Sequence, residues 1–293
     1  MPRSPKAPSW LLAICIALVL LTPPKMRGQT QDLERQMFDN NVKELELNAN
    51  KGDVSAMKNL GRLYSEISYP GDPFSKIRID LHKAFYWYQQ AALQGDVASM
   101  VKVARMYYFE GGVPKSIPRA LEWYEKAAKQ GSGEAMYTLG NVYRDGKEVQ
   151  KDDTKAFEYF QKAAVQGYYG TAFLVGNMYG ECEYWNGDRV VPRDDKRAFE
   201  WYQKDALQGD GFAQAAIGLM YLHGEGVPKD NVMACVWMIR ANIDRNGRDD
   251  NYYKLGAEIQ SSVTEAEKLK AEKMEKEMFP PPKPTPPPNI PGL

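Results

Sequence analysis

Apolar positions along this chain follow a helical spacing that restarts at Gly52, Gly95, Gly131, Gly167 and Gly209, at intervals of 43, 36, 36 and 42 residues. Eight residues after each glycine stand Leu60, Val103, Leu139, Val175 and Ile217, followed by Gly61, Ala104, Gly140, Gly176 and Gly218. Twelve residues after it stand Tyr64, Tyr107, Tyr143, Tyr179 and Tyr221. Residues three to four apart share one face, so each stretch predicts an amphipathic helix with a notch at the small residue. Glycine inside a helix costs roughly 1 kcal/mol relative to alanine. Its presence in four of the five notches predicts that another helix backbone lies close there.

A second helix follows each tyrosine. The connector column Ile77, Val113, Val149, Val191 and Val227 is expected to plug into the core. Three residues later come Asp80, Ser116, Asp152, Asp194 and Asp230, residue types that accept the orphan backbone N–H groups at a helix start. Ala84, Ala120, Ala156, Ala198 and Ala234 open the helix, and Trp87, Trp123, Tyr159, Trp201 and Trp237 lie three residues on. Four repeats close on Gln-Gly, the glycine serving as a left-handed cap. Such a helix pair cannot bury its apolar face alone and stacks on its neighbours, so the chain reads as all-α.

The run Ala135-Met136-Tyr137-Thr138-Leu139-Gly140-Asn141-Val142-Tyr143, with Lys155-Ala156-Phe157-Glu158-Tyr159-Phe160-Gln161-Lys162-Ala163-Ala164, resembles a Sel1-like repeat, a relative of the tetratricopeptide repeat. Five registered copies over residues 52–246 carry the resemblance. It implies a right-handed α-solenoid of about five helix-turn-helix repeats with capping helices, acting as a scaffold or adaptor for other proteins. Residues 29–51 read as an N-terminal capping helix, like an unpaired second helix, and 247–279 as C-terminal capping helices, with Leu255-Gly256 in a degenerate sixth first helix. The tail 280–293 is so proline-rich that an extended, disordered polyproline segment is expected. Its composition makes it a linker first, and a ligand for an aromatic-lined groove second.

The first 28 residues are of another kind. Arg3 and Lys6 precede an apolar run from Trp10 to Leu21, the pattern of a secretory signal segment with cleavage after Gly28. Cys15 is followed by further apolar residues and preceded by the bulky Ile14, which argues against lipid attachment. Removal of residues 1–28 deletes four cations and no acid, taking a balanced chain to −4, and leaves Cys182 and Cys235 in an oxidising space. Their repeat positions do not match as a pair. The expected location is periplasmic or secreted, and the absence of any Asn-x-Ser/Thr acceptor favours a bacterial envelope.

With 38 Lys+Arg against 38 Asp+Glu and no basic stripe, a nucleic-acid partner is disfavoured, as is any membrane contact beyond the signal segment. The two histidines, His82 and His223, form no catalytic or metal-ligand pattern. His223-Gly224-Glu225-Gly226 falls in the inter-helix loop, in register with Glu110-Gly111-Gly112. No catalytic, cofactor or metal site is therefore expected, and the chain reads as a non-enzyme and a monomer. Asp205 is the sharpest departure, because Ala91, Ala127, Ala163 and Ala241 occupy its column. A salt bridge to Lys204, Lys196, Arg197 or Arg193 is the expected explanation, ahead of a functional carboxylate. Insertions at residues 68–74 and 181–188 place additional aromatics in two loops. Cys235 occupies an apolar column and is expected to be buried.

By analogy with tetratricopeptide packing, the first helices line a concave groove. The residues expected there are Lys58 and Arg62 in the first repeat, then Val101, Arg105 and Tyr108 in the second. Tyr137, Asn141 and Arg144 follow, then Phe173 and Asn177, and finally Leu219 and Leu222. Arginine and aromatic residues are the types that anchor interfaces. The groove is expected to hold a protein or peptide segment, acidic toward the first three repeats and apolar toward the fifth. The alternative is an envelope-associated role in β-lactam or peptidoglycan-related binding or weak hydrolysis, by analogy with secreted relatives. Those relatives carry a cysteine pair per repeat, which this chain lacks.

Overall fold

The computed structural model describes residues 36, 39–65, 79–180, 190–244 and 262–280. Among them every regular element is helical. The helices are α1 (residues 39–50), α2 (Val54–Ser65), α3 (Leu81–Leu93), α4 (Val97–Phe109), α5 (Ile117–Lys129) and α6 (Gly133–Asp145). They continue with α7 (Asp153–Val165), α8 (Thr171–Tyr179), α9 (Asp195–Ala206), α10 (Gly211–His223), α11 (Asn231–Asp244) and α12 (Glu265–Met278). The chain divides into two compact units, Met1–Lys126 and Ala127–Leu293, with the division inside α5. The signal segment, both loop insertions with Cys182, the connector residue Ile77, the Leu255-Gly256 element and the tail beyond Pro280 lie outside the described residues.

In the first unit, α1 ends as the second helices of the repeats do. Gly52 takes φ +95°, and the next residue, Asp53, returns its N–H to Asn48 O at 3.1 Å. Gly95 (φ +91°) and the bond from Asp96 N–H to Ala91 O at 3.1 Å repeat that closure after α3. The Tyr64 hydroxyl donates to Glu46 Oε1 at 3.2 Å, tying α2 to α1. Burial, and then the neighbouring Glu46 carboxylate, push this phenol up to about 12. Leu60, Ala84, Ala91, Val103 and Ala104 have no exposed surface and form the core between helices.

The notch at Gly61 is filled in a way the sequence reading did not anticipate. A β-carbon there would lie 2.7 Å from the Tyr88 ring. The second unit repeats the arrangement, at 2.7 Å between Gly140 and Phe160 and 2.5 Å between Gly176 and Tyr202. The close neighbour is thus an aromatic ring from the second helix of the same repeat, not a helix backbone. At Gly218, where methionine replaces the ring, Met238 Cγ stands at 3.2 Å and the Ala234 carbonyl at 3.3 Å.

Both units close their connectors with one bond. The cap residue's N–H donates to the tyrosine carbonyl at 3.0 Å (Asp80 to Tyr64) and 2.9 Å (Ser116 to Tyr107) in the first unit. In the second it does so at 2.9 Å (Asp152 to Tyr143), 2.8 Å (Asp194 to Tyr179) and 2.9 Å (Asp230 to Tyr221). The bond survives the insertions because it fixes only the ends of the loop, and loop-closure entropy grows slowly with length. The four aspartates also accept backbone N–H groups of the helices they start, as expected of helix caps. A cation three residues past the cap then covers the tyrosine ring: Lys83 on Tyr64, Arg119 on Tyr107, Lys155 on Tyr143 and Arg197 on Tyr179, at 5.0–5.6 Å.

The last described helix of the second unit is α12, which starts with a capping box between Thr264 and Glu267. Ala271 packs it into a cluster with Ala234, Cys235 and Met238 of α11. Cys235 is buried, as its column predicts, and burial raises its thiol pKa. Phe279 follows, its ring edge-on to Trp237 at 5.4 Å and covered by the Arg240 guanidinium at 4.7 Å.

Candidate interaction face

The candidate residues of the first unit sit on α2 and α4. Lys58 donates to Asp96 Oδ1 at 2.9 Å, joining the first helix of one repeat to the start of the next. Asp96 also caps α4, accepting from Ser99 N–H at 2.8 Å. Partial burial alone would raise this carboxyl, but its bonds to Ser99 and Lys58 outweigh that and hold it below its ordinary value. Arg62 and Arg105 are exposed, and Tyr108 is half-buried with its ring against Phe109 at 4.8 Å. Val101 is 3% exposed and drops out of any docking face. The exposed stripe runs instead through Ser55, Asn59 and Arg62 on α2 and Ala98, Lys102 and Arg105 on α4.

In the second unit the column of Lys58 and Val101 is aromatic at Tyr137 and Phe173. Tyr137 on α6 packs on Tyr168 at 5.3 Å, with the rings tilted by 33°. Phe173 on α8 meets Phe212 on α10 at 5.9 Å, tilted by 34°. Asn177 accepts from the Tyr202 hydroxyl at 2.7 Å, whereas Asn141, opposite Phe160 with no hydroxyl, donates to Tyr137 O at 3.1 Å. Arg144 lies over Phe160 at 5.9 Å and pairs with Asp145 at 3.0 Å. Leu219 is half-buried, but Leu222 is 4% exposed and cannot present itself to a partner. Tyr168, Tyr169 and Phe212 were not anticipated on this face. Their signal is a ring one to three residues into a repeat, where the other repeats carry none.

Asp205 answers to a different logic from the one expected. It is 1% exposed, and its Oδ2 accepts the Phe173 backbone N–H at 2.7 Å. The N–H groups of Ala172 and Gly170 also act on it. It therefore caps α8 from the following helix, 32 residues away, and no described cation pairs with it. The reason lies in the fourth repeat's own start. Asp53, Asp96, Ser132 and Asp210 cap the first helices of the other repeats, but Tyr168 holds that position here. The helix starts late, behind Gly170 at φ +76°, with no local side-chain cap. Burial raises the Asp205 carboxyl overall, against the lowering effect of these N–H groups, and neighbouring Asp210 adds to the rise.

A Sel1 repeat family model matches residues 54–96, 97–132, 133–168, 175–210 and 211–242. The chain belongs to the Sel1 repeat family. Its fold is accordingly an all-α repeat solenoid. The interval 169–174, between the third and fourth matched Sel1 repeats, coincides with the delayed start of α8 that Asp205 supports. Among solved structures, a Sel1 repeat protein from Oxalobacter formigenes is similar at 28% identity and a TM-score of 0.58, covering 74% of this chain and 58% of that one. A protective antigen of uropathogenic Escherichia coli with an SLR fold shares 20% identity, covers 80% of this chain and 63% of that one, and has a TM-score of 0.49. A Sel1 repeat protein from Klebsiella pneumoniae shares 24% identity at a TM-score of 0.38, covering 75% and 99% of the two chains. This chain thus spans about three-fifths of the length of the first two. No curated protein matches it. Among the described residues of these Sel1 repeats, no group of three His, Cys, Asp or Glu side chains is arranged to hold a metal. No described helix is long and apolar enough to cross a membrane.

Proposed function

We propose that the chain is an exported, non-catalytic scaffold whose first helices hold a segment of another protein. Sel1 repeats are generally protein–protein interaction scaffolds. The observation that carries the reading here is the row of oblique aromatic pairs on the second unit, with Phe212 42% exposed and Tyr169 57% exposed. Rings presented this way are the residue type on which binding energy concentrates. Arg62, Lys102 and Arg105 give the first unit's face a cationic character suited to acidic residues on a partner. Residues 29–51 and 247–279 close the two ends of the array, and the proline-rich tail follows.

The test is capture by cross-linking, comparing the wild-type chain with a Tyr137→Ala/Phe212→Ala variant and a Lys102→Glu/Arg105→Glu variant. Loss of the same captured protein in the aromatic variant, with unchanged helicity by circular dichroism, supports the reading. Undiminished capture by both variants removes it. Saturable binding of a labelled β-lactam would instead favour an envelope-ligand role.

A further inference from the structure

We infer that the aromatic face of the second unit is covered by this chain's own proline-rich C-terminal segment, residues 281–293. This rests on reading that face as a docking surface, and it names the first occupant: a cover that a partner segment must displace. Three observations converge on it.

The first is the chemistry of the face. Tyr137 with Tyr168, and Phe173 with Phe212, are ring pairs tilted by 33° and 34° at successive repeats, with Phe212 exposed and the other three rings half-buried. Aromatic-lined surfaces of this kind are what polyproline segments recognise, since such segments lose little conformational entropy on binding. The second is the chemistry of the segment. Residues 280–293 contain eight prolines and one charge, Lys283. Pro281, Pro284 and Pro287 recur at the three-residue period of polyproline II, so in that conformation they line one edge. Pro282, Pro288 and Pro291 lie one residue out of phase, on a neighbouring edge.

The third is the tether. The segment starts from a fixed point in the same unit. Phe279 donates its N–H to Glu275 O at 2.8 Å, and its ring is held by Trp237 and by Arg240, which pairs with Glu275 at 3.6 Å. At about 3.1 Å per residue, residues 281–293 reach about 40 Å, roughly twice the length of a thirteen-residue helix such as α6. A short tether of this kind gives an effective concentration on the order of millimolar, enough to fill a weak polyproline site. A second copy or a foreign segment has no such advantage at ordinary concentrations.

The experiment uses the full chain with a photo-crosslinking benzoyl-phenylalanine at Phe212, and at Glu158 on α7 as an exposed control. Irradiation of the Phe212 variant is expected to join it to residues 281–293 within one monomer, at a yield independent of protein concentration. The Glu158 variant is expected to give no such adduct. Adding Pro284→Ser and Pro287→Ser should lower the Phe212 yield roughly tenfold without altering the circular dichroism. An adduct seen only between chains, and rising with concentration, would overturn the inference in favour of a second copy. No adduct to the tail at all would overturn it outright. If the adduct fails while Tyr137→Ala/Phe212→Ala still abolishes partner capture, the docking surface stands and only its occupant is wrong. If the adduct forms but capture is unaffected, the cover stands and the partner reading falls.

Discussion

Asp96 in the first unit and Asp205 in the second do the same job under opposite electrostatic conditions. Each carboxylate caps the N-terminus of a first helix, α4 or α8. Asp96 is local, partly exposed and paired with Lys58, and its pKa is held down. Asp205 comes from another helix, is buried with no described cation beside it, and its pKa is pushed up. A helix start requires an acceptor but does not dictate where in the sequence it comes from. The electrostatic consequence is set by what surrounds the acceptor.

The largest expected effect comes from removing the buried cap. Asp205→Ala strands backbone donors inside the protein and should cost about 2–4 kcal/mol by denaturant unfolding, whereas Asp96→Ala, open to water, should cost about 1 kcal/mol. Equal costs would erase the distinction between the two caps. Next come the notch glycines, where the units should behave alike. Gly61→Ala and Gly176→Ala drive a β-carbon into a ring and should each destabilise by about 1–3 kcal/mol, while Gly218→Ala, facing a flexible methionine, should lie near zero.

Mild acid should then split the pair. A lowered folded pKa means that the Asp96 contribution is present above its ordinary 3.8 and is lost as pH falls through the folded value. A raised one means that the Asp205 contribution is full below 3.8 and is lost as pH rises through the folded value. Amide exchange corrected for intrinsic rates should therefore show Phe173 gaining protection as pH falls toward 4, while Ser99 holds its protection there and loses it only below 3.8. Asp205→Asn should abolish the trend at Phe173 alone. The smallest effect is ionic. Lys58→Met should cost less than about 1 kcal/mol and nothing measurable in 1 M salt, because an exposed pair is screened. A Tyr137–Tyr168 double-mutant cycle should give about 0.5–1 kcal/mol at any salt concentration.

Much of the fold was legible because its signals are local. The capping aspartates, the Gln-Gly closures and the apolar columns act on residues within one or two turns of themselves, and five copies averaged out the accidents of any one. The candidate face was legible only in outline. Val101 and Leu222 matched its register but are buried, and the exposed stripe keeps Arg62 and Arg105 but shifts to Asn59 and Lys102 beside them. That shift depends on which side of each first helix the next repeat covers, which no single helix encodes.

By itself the sequence determined the repeat, its period, most of its helix boundaries and the buried character of its columns, since these follow from residue spacing and backbone chemistry. Only the tertiary structure decided that a ring fills three of the four glycine notches and that rings join successive repeats in the second unit where an ion pair does so in the first. It also decided that Asp205 replaces a cap missing at Tyr168. Each of these joins residues far apart in the chain, and such contacts are set by packing between helices, to which periodicity within a helix is blind.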